Sequence, residues 1–149
     1  LLIVAQLVGI GAGGLLSSRF AKGTRWYRVI IPAGFAMSVT MLLMPLVPHI
    51  PGVMRIVALF ALIAAIGISG GLFMIPLESF IQIRPSAKQK GTIWASANFI
   101  IFAGIMLSGP IANLLNAHVV PTNGFGLLGI ASLCVSTAIA VILRGGELT

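Results

Sequence analysis

Residues 56–77 read IVALFALIAAIGISGGLFMIPL and contain no charged side chain. A helix needs about 20 predominantly apolar residues to cross the roughly 30 Å hydrocarbon core of a bilayer. A helix at the surface of a soluble protein carries polar residues along one face, and this stretch has no such face. It therefore predicts a transmembrane helix.

The rest of the chain repeats this pattern. Apolar segments cover about residues 1–17, 29–48, 54–77, 92–115 and 121–143, and the breaks between them are too short for a soluble domain. Of the 149 residues, 58% are hydrophobic and 7% are charged, whereas about 25% of the residues of a soluble domain are charged. The sequence predicts an all-α membrane protein with five transmembrane helices.

Small residues recur four positions apart inside the segments, a spacing that lets two helix backbones approach closely in lipid. The pairs are Gly9 with Gly13, Gly67 with Gly71, and Gly104 with Ser108. We expect these faces to be helix contacts. Prolines within or at the ends of the segments can kink the helices, namely Pro32, Pro45, Pro76 and Pro110.

The nine lysines and arginines fall unevenly on the two sides of the membrane. If successive segments alternate in direction, Arg55 lies alone on one side, and the opposite side holds Arg19, Lys22, Arg25, Arg28, Arg84, Lys88, Lys90 and Arg144. Because basic connections stay in the cytoplasm, we expect the first and third connections and the C-terminus to be cytoplasmic. The net charge of +7 reflects a shortage of acids, so we predict no nucleic-acid partner.

The sequence contains no recognisable arrangement for catalysis. It has no aspartate, one cysteine and two glutamates, Glu78 and Glu147, so paired-carboxylate chemistry is nearly excluded. Gly9, Gly11 and Gly14 have G-x-G-x-x-G spacing, but the acid expected about 20 residues later and the alternation of strands and helices are missing. We predict that this chain is not an enzyme and has neither a metal site nor a cofactor.

The first basic connection reads GLLSSRFAKG from Gly14 onward. It resembles the loop signature of the major facilitator superfamily, G-x-x-x-D-R-x-G-R-[KR], with Gly14, Arg19 and Lys22 at matching positions. Ser18 stands where the family has its acid, and Ala21 where it has its second glycine. In the family that acid helps to latch neighbouring helices, so a latch of that type is not expected here.

The stretch from 70 to 106 is similar to the lysophospholipid transporter branch of this superfamily, which includes members fused to acyltransferase and acyl-carrier-protein ligase modules. The matching residues are Gly70, Gly71, Pro76, Leu77, Gln82, Asn98 and Phe99. The resemblance implies that the five helices are helices eight to twelve of a twelve-helix transporter and form part of its C-terminal six-helix bundle. No methionine or charged region precedes the first apolar segment, so we expect the chain to be an interior piece of such a protein.

This resemblance implies transport or flipping of lysophospholipid across the bacterial inner membrane, with the substrate held between two halves that rock. Polar residues within the spans are the candidates for the transport path: Gln6, Ser69, Glu78, Ser96, Asn98 and Asn113. The expected partners are an amphipathic lipid substrate, membrane lipids, the first half and helix seven of the same transporter, and a fused acyltransferase. Two alternatives stay open: a membrane scaffold that anchors a fused phospholipid acyltransferase, and an exporter of another amphipathic small molecule.

Structural roles compete with transport roles at several of these positions. Glu78 follows the long apolar stretch near the cytoplasmic interface, where it can pair with Arg19 or with a cation of the third connection. Asn98 needs either an interhelical hydrogen bond or a substrate contact. Trp94 lies at a predicted membrane boundary and is typical of an interfacial anchor.

The charge distribution predicts the orientation of the chain. In a Cys134→Ser background of the full protein, we expect Thr122→Cys to react with an impermeant thiol reagent added outside the cell. Ser86→Cys should react only after the membrane is permeabilised, because the positive-inside rule places the third connection in the cytoplasm. The reverse labelling pattern would contradict both the orientation and the family placement.

Overall fold

The computed structural model describes residues 1–20, 27–83 and 86–145, and these ranges contain helices and no β-strand. The elements follow one another as α1 (Leu2–Phe20), α2 (Tyr27–Leu43), a 3₁₀ helix (Met44–His49), α3 (Val53–Ile83), α4 (Ala87–His118) and α5 (Pro121–Gly145). Five spans are long and apolar enough to cross a membrane: Leu2–Arg19, Val29–His49, Val53–Ser79, Gln89–Leu115 and Pro121–Ile142. The predicted all-α architecture with five membrane-length helices is confirmed, and it is that of a multi-pass membrane protein.

Helices α3 and α4 extend beyond the apolar segments at the connection between them. Helix α3 continues to Ile83 and α4 begins at Ala87, so Lys88 and Lys90, which the sequence assigned to a loop, lie in the first turns of α4. Alanine, lysine and glutamine fill these turns and have high helix propensity, so the helix does not end where the apolar segment does. Only residues 84–86 separate the two helices, and a connection this short makes them antiparallel.

The prolines do not all lie in α-helices. Pro32, Pro76 and Pro110 lie inside α2, α3 and α4, whereas Pro45 lies with Pro48 in the 3₁₀ helix that follows α2. Each proline lacks a backbone N–H. Two of them three residues apart therefore interrupt the α-helical hydrogen bonds, and the chain continues as the tighter helix.

Helices α1 and α3 lie side by side through glycines. A β-carbon on Gly67 would lie 2.5 Å from the carbonyl oxygen of Gln6, and one on Gly71 would lie 2.5 Å from a carbonyl oxygen of α1. Gly9 and Gly13 face the backbone of α3 in the same way, so no residue with a side chain fits at these four positions without a shift. The residue numbers of the contact positions increase in the same direction along both helices. The helices are therefore parallel.

Helix α2 packs against α5 through small and hydroxylated residues. The hydroxyls of Ser38 and Ser132 share a hydrogen bond of 2.9 Å between the two helices. A β-carbon on Gly34 would lie 2.7 Å from the hydroxyl oxygen of Ser136. The residue numbers of the contact positions increase along α2 as they decrease along α5, so these helices are antiparallel. Helix α2 also contacts α3.

Helix α4 stands apart from this packed group. None of its side chains that the structure describes is buried, and it makes far fewer contacts with other helices than α1 and α3 make with each other. A β-carbon on Gly104 would meet nothing within 4 Å, and Ser108 is exposed and donates a hydrogen bond to Ile105 of its own helix. The helix contact expected at Gly104 and Ser108 is therefore not formed within the described residues.

The α1–α3 contact predicts a sharp difference between two adjacent glycines. Gly71→Ala should reduce folded yield and lower the free energy of unfolding by about 1–3 kcal/mol, because its methyl group would meet the backbone of α1. Gly70→Ala is the matched control, since a β-carbon there meets nothing within 4 Å, and it should be neutral. Folding can be measured by denaturant titration in mixed micelles, and equal behaviour of the two variants would contradict the contact. Gly71→Leu should be more damaging than Gly71→Ala.

Candidate functional site

A cleft with a volume of about 130 Å³ lies where α3 ends and α4 begins. We call it the α3–α4 cleft, and its lining consists of Glu78, Ile81, Gln82, Trp94, Ala97, Asn98 and Ile101. It brings together two of the predicted transport-path residues, Glu78 and Asn98, which are 20 positions apart in the sequence.

Helical spacing explains why these side chains meet. Residues three and four positions apart lie on the same face of a helix. On α3 this spacing relates Glu78 to Gln82, and on α4 it relates Trp94 to Asn98. The two faces meet in the structure, and the cleft forms between them.

The lining combines half-buried apolar side chains with a few exposed polar ones. Ile81 and Ala97 are half-buried, whereas the side chains of Glu78, Gln82 and Asn98 are exposed. One carboxylate, two amides and an indole therefore converge around a small volume. Such convergence of a few polar groups on an otherwise apolar surface is typical of binding sites.

Two described cations lie at the same end of the helices as the cleft. Because α1 and α3 are parallel, Arg19 in the last turn of α1 lies at roughly the level of Glu78, and both side chains are exposed. Lys90 is exposed one helical turn before Trp94, on the same face of α4. Arg84 lies outside the described residues.

The remaining transport-path candidates lie outside the cleft. Ser69 is buried in α3, and its hydroxyl lies 2.7 Å from the carbonyl oxygen of Ala65 in the same helix, so its own helix satisfies it. Gln6 is exposed on α1. Ser96 and Asn113 are exposed on α4, and Ser96 points about 200° around the helix from Asn98.

The residues of the loop signature divide between the described and undescribed parts of the chain. Gly14 lies in α1, where a β-carbon would meet the side chain of Ile75, and Arg19 ends the same helix. Ser18, at the position of the family's acid, donates a 2.7 Å hydrogen bond to the carbonyl oxygen of Leu15. Lys22 lies outside the described residues.

Sequence reasoning did not identify the other five members of the cleft as site residues, and two of these, Gln82 and Trp94, carry polar groups. It assigned Gln82 only to a motif and Trp94 to a membrane boundary. Their spacing of four from Glu78 and Asn98, respectively, on either side of a short connection was the signal that could have grouped them. Grouping them also required knowing that these faces of α3 and α4 pack against each other. Hydropathy does not reveal this pairing.

No protein-family model, curated protein or solved structure matches the chain. The membership of the major facilitator superfamily that the sequence indicates therefore stays a prediction, together with its lysophospholipid branch.

The geometry of the cleft predicts which cysteine pairs a short reagent can join. In a background without other cysteines, Gln82→Cys with Asn98→Cys should be joined efficiently by a short bis-methanethiosulfonate, because both side chains line one small volume. Gln82→Cys with Ser96→Cys is the control, and it should not be joined because Ser96 lies on another face of α4. Joining is read by mass spectrometry as the added spacer mass, and equal yields for both pairs would contradict the cleft.

Proposed function

We propose that the chain is part of a major facilitator superfamily transporter that moves lysophospholipid across the bacterial inner membrane by alternating access. The α3–α4 cleft carries this proposal, because it is a small group of polar side chains at one end of an otherwise apolar helix wall. A lipid with a single acyl chain has the same division between a compact polar head group and an apolar tail.

The apolar surfaces beside the cleft support a lipid substrate. Helix α4 continues from the cleft with exposed Phe102, Ile105 and Met106. A second, open groove of about 610 Å³ along α5 is lined by Leu133, Cys134, Thr137, Ala138, Val141 and Ile142. The hydroxyl of Thr137 donates to a carbonyl of its own helix, so this groove suits hydrocarbon better than a sugar or peptide, which needs several polar partners.

The open faces of α4 agree with the placement of the chain in a larger helix bundle. In the proposed twelve-helix transporter, α1 to α5 are helices eight to twelve, and substrate binds between two six-helix halves. The exposed faces of α4 would then border the substrate path, helix seven or the first half. The paired helices α1 with α3 and α2 with α5 would form the fixed part of the wall.

The mechanism follows from the two kinds of surface. With the basic connections in the cytoplasm, the cleft opens at the cytoplasmic end of the helices. Rocking of the two halves would expose the path first to one side and then to the other, while the acyl chain keeps contact with apolar helix faces and the head group moves between polar side chains. In this proposal the segment binds and guides lipid, and any acyltransferase chemistry belongs to a fused module.

Lipid uptake tests the proposed function directly. Spheroplasts that carry the full-length protein should take up labelled lysophospholipid faster than vector controls. Asn98→Leu should slow uptake about tenfold at equal membrane abundance, because loss of a hydrogen bond to a charged or polar head group costs about 1–2 kcal/mol. Asn123→Leu, in the first turn of α5 and outside the cleft, is the matched control and should retain uptake.

Two results would contradict the proposal. Uptake equal to the vector control, with the protein present in the membrane, would remove transport and favour the scaffold alternative. Equal loss of uptake in both asparagine variants would show that the cleft has no special part in the lipid path.

A further inference from the structure

Glu78 gives the α3–α4 cleft a charge opposite to that of the chain as a whole. The chain has a formal net charge of +7 and only two acidic residues, and Glu78 is the only carboxylate among the residues that the structure describes. A carboxylate attracts a cation and repels an anion at short range. A positively charged group beside Glu78 is therefore favoured over an anion at this position.

The groups around Glu78 also suit a cation that carries N–H or N–CH₃ groups. Trp94 lines the cleft, and tryptophan is the aromatic side chain that attracts ammonium groups most strongly through its ring face. Gln82 and Asn98 supply amide oxygens that accept hydrogen bonds from N–H donors. A bare metal ion would instead need several oxygen ligands around it, and an indole supplies none.

We propose that the α3–α4 cleft binds an alkylammonium group. Where the ligand is a lipid, this inference rests on the proposed function, and the group bound is the amine of a zwitterionic lysophospholipid head group. A small soluble amine shares the same chemistry, so the two sources must be separated by experiment.

The size of the cleft limits the part of the ligand that it holds. Its volume of about 130 Å³ is well below the roughly 300–1,000 Å³ of pockets that enclose a drug-sized ligand. It therefore holds the ammonium end of a head group and leaves the acyl chain outside. Lys90 is exposed and lies four residues, about 6 Å, along α4 before Trp94. In this proposal its ammonium group contacts the phosphate of the same head group.

Lipid binding by purified full-length protein tests the inference apart from transport. The protein is placed in nanodiscs of neutral lipid, and the dissociation constants of two labelled lysophospholipids with the same acyl chain are measured, one with an ethanolamine and one with a glycerol head group. The wild-type protein should prefer the ethanolamine lipid about tenfold, the size expected from one cation–π contact together with a partly hydrated carboxylate. Because both lipids are measured on the same preparation, the ratio does not depend on the amount of folded protein.

Four variants assign that preference to the cleft. Glu78→Gln and Trp94→Leu should each bring the ratio close to one, whereas Trp94→Phe should retain most of it because phenylalanine keeps an aromatic face. Asn123→Ala, outside the cleft, should leave the ratio unchanged. Equal binding of the two lipids by the wild type, or an unchanged preference in Glu78→Gln, would overturn the inference.

Soluble ethanolamine and choline distinguish the two sources of the ammonium group. If millimolar ethanolamine or choline displaces the ethanolamine lipid from the wild type but not from Glu78→Gln, the cleft accepts a free amine. If neither displaces it while the lipid preference holds, the tail is required and the ligand is a lipid. A head-group preference that survives without any uptake would leave the ammonium site in place and remove only the transport function.

Discussion

The close approach of α1 and α3 at four glycines determines how the rest of the structure is arranged. Apolar helices gain little from each other in a solvent of hydrocarbon, so their association depends on close packing and on polar contacts between backbones. At Gly67 and Gly71 the missing side chains let the backbone of α3 lie directly against carbonyl oxygens of α1. The shared register places the ends of both helices at one level, and Glu78 and Arg19 come to the same end because of it.

Helices α2 and α5 also pack through residues with small side chains, and hydroxyl groups add a hydrogen bond between them. Ser38 and Ser132 join the two helices by a hydrogen bond, and Gly34 lies next to both Ser136 of α5 and Phe73 of α3. Helix α2 therefore links the two pairs into one wall. Helix α4 has no comparable contact among the described residues, so one side of the cleft belongs to the wall and the other to a helix that has few contacts with its neighbours. The width of the cleft consequently depends on the angle of α4 against α3.

Sequence reasoning worked best where one physical constraint dominated. Uninterrupted apolar length identified all five helices, because a run that matches the thickness of a bilayer is rare in soluble proteins, and the spacing of Gly67 and Gly71 identified a helix contact. The same spacing at Gly104 and Ser108 did not identify a helix contact. Small residues permit a close approach, but they do not supply the neighbouring helix. Helices that are apolar all round have no polar face to show which side packs inward. For this reason Glu78 and Asn98 were found from their polarity alone, whereas Trp94 and Gln82 joined the site only after the helix faces were paired.

The position of Glu78 at the end of a helix also decides what kind of binding the cleft supports. A carboxylate in the middle of the bilayer would be costly to keep charged and would hold a paired cation tightly. Because Glu78 is exposed, it retains much of its hydration, so its attraction for an ammonium group would be modest. A bound ligand could then leave again, as the proposed transport cycle would require. The basic connections attract the phosphate of every anionic lipid without regard to the rest of its head group. In the proposed site, Glu78 beside Trp94 would add what these cations lack, because it would favour head groups that carry a positive charge as well as a phosphate.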